Sequence, residues 1–166
     1  MRTPICSVCL QSDILCKSCA RNIEAGKISA LGAGIIKNLY ELSRKVKSVD
    51  SVNIEKVLDF DSLVVIICQK SDVPNLVGRG GRITGELRKK FGKQIKVIGR
   101  DQYKQMIADL VFPARIEGIG KLYSGGVESL KINVQKNQLM KLPAKREDLL
   151  KAAAEISGMK VEFANQ

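Results

Sequence analysis

Hydrophobic residues along the chain recur first at helical spacing and then at strand spacing. Between residues 29 and 47 they lie at steps of three and four, which predicts a helix with one buried face and Ser29 as its N-cap. The residues on that face are Leu31, Ile35, Leu39, Leu42 and Val46. Residues 51–58 and 62–69 are rich in Val, Ile and Leu around the polar turn "DFDS", so they predict two strands.

Further elements follow in an order that occurs twice. The first half continues with a short helical turn at 73–77, a glycine loop at 78–81, a helix at 82–91 and a strand at 94–99. The second half predicts a helix at 102–112, strands at 114–123 and 127–135, a short helix at 137–142, a longer helix at 147–157 and a strand at 159–164. This mixture of elements predicts an α+β fold.

The two halves match at a single offset of 66 residues. That offset pairs residues 64–97 with 130–163 without a gap, and it pairs Gly92 with Gly158 at the ends of two predicted helices. Because strands, helices and this glycine share one offset, the pattern indicates a duplicated unit. We therefore expect domains at residues 29–100 and 101–166, preceded by a separate segment of residues 1–28.

Four of the five cysteines lie in that first segment. They form two Cys-x-x-Cys pairs, Cys6 with Cys9 and Cys16 with Cys19, separated by "LQSDIL". Two such pairs supply the four thiolates that tetrahedral zinc requires. A segment this short cannot build its own core, so a metal would have to hold it together. We predict one structural zinc ion bound by these cysteines.

Cysteines at this spacing also occur in disulfides, redox pairs and iron–sulfur clusters. Two disulfides are disfavoured by the expected intracellular setting, and a redox Cys-x-x-Cys usually sits on a βαβ scaffold that this sequence lacks. An iron–sulfur cluster also uses four thiolates, so spacing alone leaves that alternative open. Cys68 lies within "LVVIICQ" and is predicted to be a buried strand residue.

Composition narrows the possible partners and activities. The formal net charge is +11, which suits a polyanion such as nucleic acid or an anionic membrane surface. The sequence shows neither an apolar run of spanning length nor a secretory pattern, so we expect a cytoplasmic protein without a membrane partner. His is absent, and no acid, base and nucleophile cluster together. We therefore expect neither an enzyme nor a small-molecule substrate.

The glycine loop Gly78-Arg79-Gly80-Gly81 is the strongest candidate binding element. It lacks the Gly-Lys-Ser/Thr of a Walker loop, and Ile83 replaces the third glycine of a Rossmann fingerprint. A Gly-x-x-Gly clamp fits, since glycines let a backbone approach phosphate closely and the following helix N-terminus favours an anion. The predicted RNA-contacting residues are Gly78, Arg79, Gly80, Gly81 and Arg82, with Arg88, Lys89, Lys90 and Lys93 as weaker candidates for flanking phosphates.

Charge and the repeat both single out the first copy of the loop. Residues 29–100 hold 14 basic and 7 acidic side chains, whereas residues 101–166 hold 10 and 8. At the 66-residue offset the loop falls on Ala144-Lys145-Arg146-Glu147, which has no glycine and adds an acid. The second copy keeps the apolar positions without the glycines, so we expect that the fold does not need them and that only the first copy clamps a phosphate backbone.

The order of elements together with "LVGRGGRITGELRKKFGKQIKVI" resembles the type II KH domain, with the order α-β-β-α-α-β in each copy. The tandem and its bridge "DQYKQMIADLVFPARIEGI" are similar to the paired KH domains of archaeal NusA-like proteins, some of which carry a zinc-binding extension. This resemblance covers residues 29–166. It implies two fused type II KH domains that bind single-stranded or structured RNA without catalysis.

Three roles remain open at this point. The resemblance implies a NusA-like transcription termination or antitermination factor that contacts nascent RNA and RNA polymerase. A type II KH protein also occurs in the small ribosomal subunit, so a ribosomal or ribosome-associated role is the first alternative. The second alternative is a protein-interaction adaptor whose KH folds no longer bind RNA.

Overall fold

The computed structural model describes residues 1–165, and the chain divides into two compact units. The first unit comprises Met1–Asp59 and Val64–Arg100, and the second comprises Phe60–Leu63 and the chain from Asp101 onward. Helices are combined with two three-stranded sheets, which confirms the predicted α+β class. Among residues 1–165, no helix has both the length and the apolar character that crossing a membrane requires.

The elements of the first unit surround one sheet. They are α1 Ser7–Gln11, α2 Lys17–Glu24, α3 Ala30–Ser43, α4 Lys47–Asp50, β1 Ile54–Asp59, β2 Leu63–Cys68, α5 Val73–Val77, α6 Arg82–Phe91 and β3 Gln94–Gly99. Short 3-10 turns occur at Lys70–Asp72 and Arg79–Gly81. The strand order is β1-β2-β3, and β1 runs antiparallel to β2 with Val57 opposite Ile66.

The core of this unit forms around β2, whose six residues are all buried. Val64, Ile66 and Cys68 belong to one cluster with buried residues of the helices, among them Ile35, Ile36, Leu39, Leu76 and Leu87. Each fully buried aliphatic side chain contributes roughly 1.5–3 kcal/mol of transfer free energy. The cluster therefore fixes α3, α5 and α6 against the sheet.

Residues 1–28 share this core. Ile5, Cys9, Leu10, Cys19 and Ile28 are buried members of the same cluster, and α1 contacts α3. The cysteine segment thus depends on α3 for its apolar packing, as expected for a segment too short to enclose a core alone.

The predicted helix over residues 29–47 is wrong at its C-terminal end. Ser29 caps α3 as expected, because its side chain accepts a hydrogen bond from Gly32 N at 2.8 Å. The helix ends at Ser43, and both Lys45 N and Val46 N donate to the Leu42 carbonyl, at 2.9 and 2.8 Å. This turn separates α3 from α4 and leaves Val46 38% exposed rather than on a buried helix face.

The second unit has six regular elements among the described residues. They are α7 Tyr103–Val111, β4 Ile116–Ser124, β5 Val127–Val134, α8 Lys136–Leu139, α9 Arg146–Ser157 and β6 Lys160–Asn165. The strand order is β4-β5-β6, with β4 and β5 antiparallel and β5 and β6 parallel. Helix α9 packs against α7 and β6.

The 66-residue offset is visible in the elements themselves. Moved by 66 positions, β2, α6 and β3 fall within β5, α9 and β6. Helices α6 and α9 end at Gly92 and Gly158, which share a left-handed backbone with φ of 68° and 71°. The helix starts differ, because α9 begins two residues earlier in the repeat than α6.

Candidate nucleic-acid interface and metal centre

The glycine loop has a backbone that other residues rarely adopt. Gly78, Gly80 and Gly81 have φ values of 74°, 60° and 74°. Gly78 N closes α5 by donating to the Pro74 carbonyl at 2.9 Å, and Gly81 N donates to the Gly78 carbonyl at 3.1 Å. Three left-handed residues in four positions explain why this loop is glycine-rich. The conformation of this loop thus depends on its glycines, whereas the second unit forms the equivalent elements without glycine at these positions.

The three glycines differ in their surroundings. A Cβ on Gly78 would lie 2.9 Å from the side chain of Ile83, so packing alone requires glycine there. A Cβ on Gly81 would lie at ordinary contact distance, 3.5 Å, from Thr84 Oγ1, and a Cβ on Gly80 would meet nothing within 4 Å. Gly80 therefore presents bare backbone to open space, where another backbone can approach.

The loop leads directly into the N-terminus of α6. This ten-residue helix has no side-chain cap and no acidic residue in its first turn. The Arg82 N–H donates to the Arg79 carbonyl, and the next N–H groups and the helix dipole favour an anion. Arg82 pairs with Glu86 at 3.3 Å, but both side chains are largely exposed, so this pair is weak. Within residues 1–165, Arg79 has no ion-pair partner.

A cleft of about 710 Å³ adjoins the loop. It is lined by Leu42, Lys45, Val46, Ser48, Pro74, Asn75, Gly78, Arg79, Arg82, Ile83 and Glu86. Apolar side chains and the basic groups of Lys45, Arg79 and Arg82 thus share one surface. Such a cleft combines the apolar contact that a base needs with the positive charge that a phosphate needs.

The weaker predicted contacts lie at the other end of α6. Arg88, Lys89 and Lys90 occupy the last turn, with Arg88 about 9 Å along the helix axis from Arg82 at 1.5 Å per residue. Their charges also complement the helix dipole. Lys93 is bound to Asp59, with Nζ 2.6 Å from Oδ1. The structure therefore groups Gly78–Arg82 in one site and places these four basic residues outside it.

The equivalent loop of the second unit has a different backbone. Lys145 is the N-cap of α9 with φ of −56°, and Glu147 and Asp148 occupy the first turn. Asp148 Oδ2 accepts hydrogen bonds from Ser62 N at 2.7 Å and Ser62 Oγ at 2.6 Å. Burial opposes ionisation of Asp148, but these hydrogen bonds and the charges of Lys151 and Lys145 outweigh it and lower its pKa. This helix start is occupied by the chain's own acids.

The four N-terminal cysteines form one cluster. All four Sγ atoms lie within 4.8 Å of one another, and Cys6 Sγ is 3.8 Å from Cys16 Sγ. Four sulfurs at roughly 2.3 Å from one tetrahedral ion are about 3.8 Å apart. A four-iron cluster carries each thiolate on a different iron, so it needs a wider arrangement. The cysteines therefore fit a single metal ion.

Backbone N–H groups point at three of the sulfurs. Cys16 N donates to Cys9 Sγ at 3.0 Å, Cys6 N to Cys19 Sγ at 3.5 Å and Cys19 N to Cys16 Sγ at 3.5 Å. The bond from Cys19 N lowers the pKa of Cys16 to about 6. At Cys9 the bond from Cys16 N acts in the same direction, but burial and the other thiols raise its pKa to about 12. Because crowded thiols resist joint ionisation, a cation is needed to stabilise all four thiolates.

One wall of the cleft was missed by sequence reasoning. The helical spacing predicts Leu42 and Val46 on a buried helix face and does not indicate Lys45 or Ser48, although all four line the cleft. The segment "SRKVKS" contains three basic residues in four positions, and that run was the available signal. The continuous three-and-four spacing through Val46 hid the end of α3.

Comparison with known proteins finds a similarity in structure and none in sequence. No protein-family model matches the chain, and no curated protein matches it in sequence. Among solved structures, that of the protein APE1850 is similar, with a TM-score of 0.55 and 17% sequence identity. The match covers 79% of this chain and 96% of that chain. At this identity the likeness concerns the fold alone.

Proposed function

We propose that this protein binds RNA and that the loop Gly78–Gly81 holds the RNA backbone. We assign the first unit, which contains the loop, to the type II KH class. The chain as a whole is then a tandem of two such domains. In KH domains a Gly-x-x-Gly loop clamps about four backbone nucleotides. The second copy keeps the fold without a clamp.

The observation that carries this proposal is the bare backbone of the loop at the start of α6. Gly80 exposes its backbone to open space with φ of 60°, and the uncapped helix start lies directly after it. Arg79 and Arg82 line the adjoining cleft and supply positive charge. Phosphate oxygens are the ligands that such N–H groups and guanidinium groups bind best. The bases would then lie in the cleft.

We assign zinc to the four-cysteine cluster. The sulfur spacing fits one tetrahedral ion, and zinc is the usual ion of structural Cys₄ sites. Cys6, Cys9, Cys16 and Cys19 would all bind as thiolates. The ion would fix α1 and α2, whose buried residues Cys9, Leu10 and Cys19 pack into the core of the first unit. Its role is structural.

The cellular role proposed from the sequence resemblance is that of a NusA-like transcription factor. Such a factor would co-purify with RNA polymerase from its own cells. A component or partner of the small ribosomal subunit would instead co-sediment with that subunit. Running both fractionations on one lysate decides between the two roles.

Crosslinking tests RNA binding directly. The purified chain is mixed with a random-sequence RNA pool, irradiated, digested and mapped by mass spectrometry. We expect crosslinked peptides from residues 78–82 and from the cleft lining. Failure to retain RNA would overturn the proposal and favour the protein-interaction adaptor. Crosslinks confined to residues 101–166 would overturn the assignment of the clamp.

A further inference from the structure

The cleft beside the glycine loop has a second wall, formed by the junction of α3 and α4. Leu42, Lys45, Val46 and Ser48 line the same cleft as Arg79 and Arg82. We call residues 42–48 the junction wall. Its role rests on the proposed RNA binding at the loop, but it concerns different protein residues and a different part of the RNA strand.

Lys45 gives the junction wall an available positive charge. The residue is exposed, and within residues 1–165 its ammonium group has no ion-pair partner. On the loop side, Arg79 is likewise unpaired in that part of the chain. The acidic residue in the lining, Glu86, is already paired with Arg82. Positive groups therefore face the cleft from both the loop side and the junction wall.

Val46 gives the same wall an apolar contact. It is 38% exposed, because the chain turns after Ser43 instead of continuing the helix. Leu42 and Ile83 line the cleft with it. None of the lining residues is aromatic, so contact with the face of a base falls to aliphatic side chains. Contact with a base accounts for the partial exposure of Val46, which packing in the core does not explain.

We propose that the junction wall is the second side of the RNA cleft. In this arrangement the Lys45 ammonium group contacts a phosphate beyond the one held by the glycine loop. Val46 packs against a base between those two contacts. The ligand is a single strand, since the cleft must accept an unpaired base.

The salt dependence of RNA binding distinguishes the contribution of Lys45 from that of Val46. Each single-strand phosphate contact contributes a slope of about 0.7 to the logarithm of affinity against the logarithm of salt. Binding of a fluorescent random-sequence RNA decamer pool is measured at several salt concentrations for the wild type, Lys45→Gln and Val46→Ser. Lys27→Gln is the matched control, because Lys27 is exposed and lies outside the cleft lining. Gly80→Asp reports on the clamp, and circular dichroism checks the fold of each variant.

We expect Lys45→Gln to weaken binding roughly tenfold and to lower the slope by about 0.7 relative to Lys27→Gln. Val46→Ser should weaken binding without changing the slope. If Lys45→Gln matches Lys27→Gln while Gly80→Asp loses binding, the junction wall is overturned and the clamp stands. If neither Lys45→Gln nor Gly80→Asp changes binding, or the wild type binds no RNA, both proposals are overturned.

Discussion

Arg82 and Asp148 occupy equivalent positions, 66 residues apart, in the first turns of α6 and α9, and they carry opposite charges. Arg82 is exposed and lines the cleft beside the glycine loop. Asp148 is 3% exposed and accepts two hydrogen bonds from Ser62. The same helix start is thus open to an external anion in one unit and occupied by an internal carboxylate in the other.

Removing the metal should destabilise the first unit. Cys9 and Cys19 are buried in its core, so loss of the ion leaves repelling or protonated thiols among apolar side chains. We expect chelation to lower the melting temperature by roughly 10 °C, measured by circular dichroism. Returning zinc should restore it.

Elemental analysis is the control for that experiment. The purified protein should contain one zinc per chain and be colourless. A brown, iron-containing sample would contradict the zinc assignment, and unchanged melting after complete metal removal would contradict its structural role.

Alkylation should distinguish Cys68 from the other cysteines. Burial raises the pKa of Cys68 to about 12, and its side chain is inaccessible in β2. After chelation, iodoacetamide should modify the four N-terminal cysteines, with exposed Cys16 reacting fastest because its pKa is lowered to about 6. Cys68 should react only in denaturant. Peptide mapping by mass spectrometry measures this, and rapid modification of Cys68 in the folded protein would refute the prediction.

Asp148→Asn should destabilise the protein by about 1 kcal/mol at pH 7, because a charged hydrogen-bond acceptor is replaced by a neutral one. The pKa of Asp148 is lowered by folding, so its contribution is complete above the unfolded value of about 3.9. That contribution is lost as the pH falls through the lower folded value. Urea titrations at pH 7 and below pH 4 should therefore show a difference that shrinks on acidification.

Asp109→Asn is the control for this prediction, because Asp109 is exposed. It should leave stability nearly unchanged at both pH values. An Asp148→Asn variant as stable as the wild type at pH 7 would show that the hydrogen bonds from Ser62 contribute little.

Patterns in the sequence predicted much of the fold, because strands, amphipathic helices and helix ends depend mainly on residues that are close together along the chain. The continuous apolar run of β2, the amphipathic helix α6 and the helix-ending glycines Gly92 and Gly158 all lie where the sequence indicated. The end of α3 was not predictable from spacing, since Val46 continues the helical period of apolar residues although its backbone is extended, with φ of −124° and ψ of 99°.

The sequence predicted the site residues that are adjacent along the chain, but it did not predict those that come together only in the folded structure. The loop from Gly78 to Arg82 is one stretch of chain, so its residues are found together. Lys45 reaches the same cleft from another element, and Lys93 is paired with Asp59, 34 residues away. Such contacts depend on tertiary packing, which charge patterns along the chain do not encode.

We propose that the glycine loop holds a phosphate backbone, and a pair of substitutions at Gly80 tests this proposal most directly. Asn and Asp both tolerate the left-handed backbone at φ of 60°, and a Cβ there meets nothing within 4 Å. The two variants therefore differ mainly by one negative charge. Gly158→Asp places the same residue in the same backbone region at a helix end of the second unit, and serves as the control.

The measurement is the affinity of each variant for the random-sequence RNA pool, with the fold checked by circular dichroism. Gly80→Asp should bind at least about a hundredfold more weakly than Gly80→Asn, because a carboxylate would face a phosphate. Gly158→Asp should bind like the wild type. Equal affinities for folded Gly80→Asp, Gly80→Asn and wild-type protein would contradict the claim.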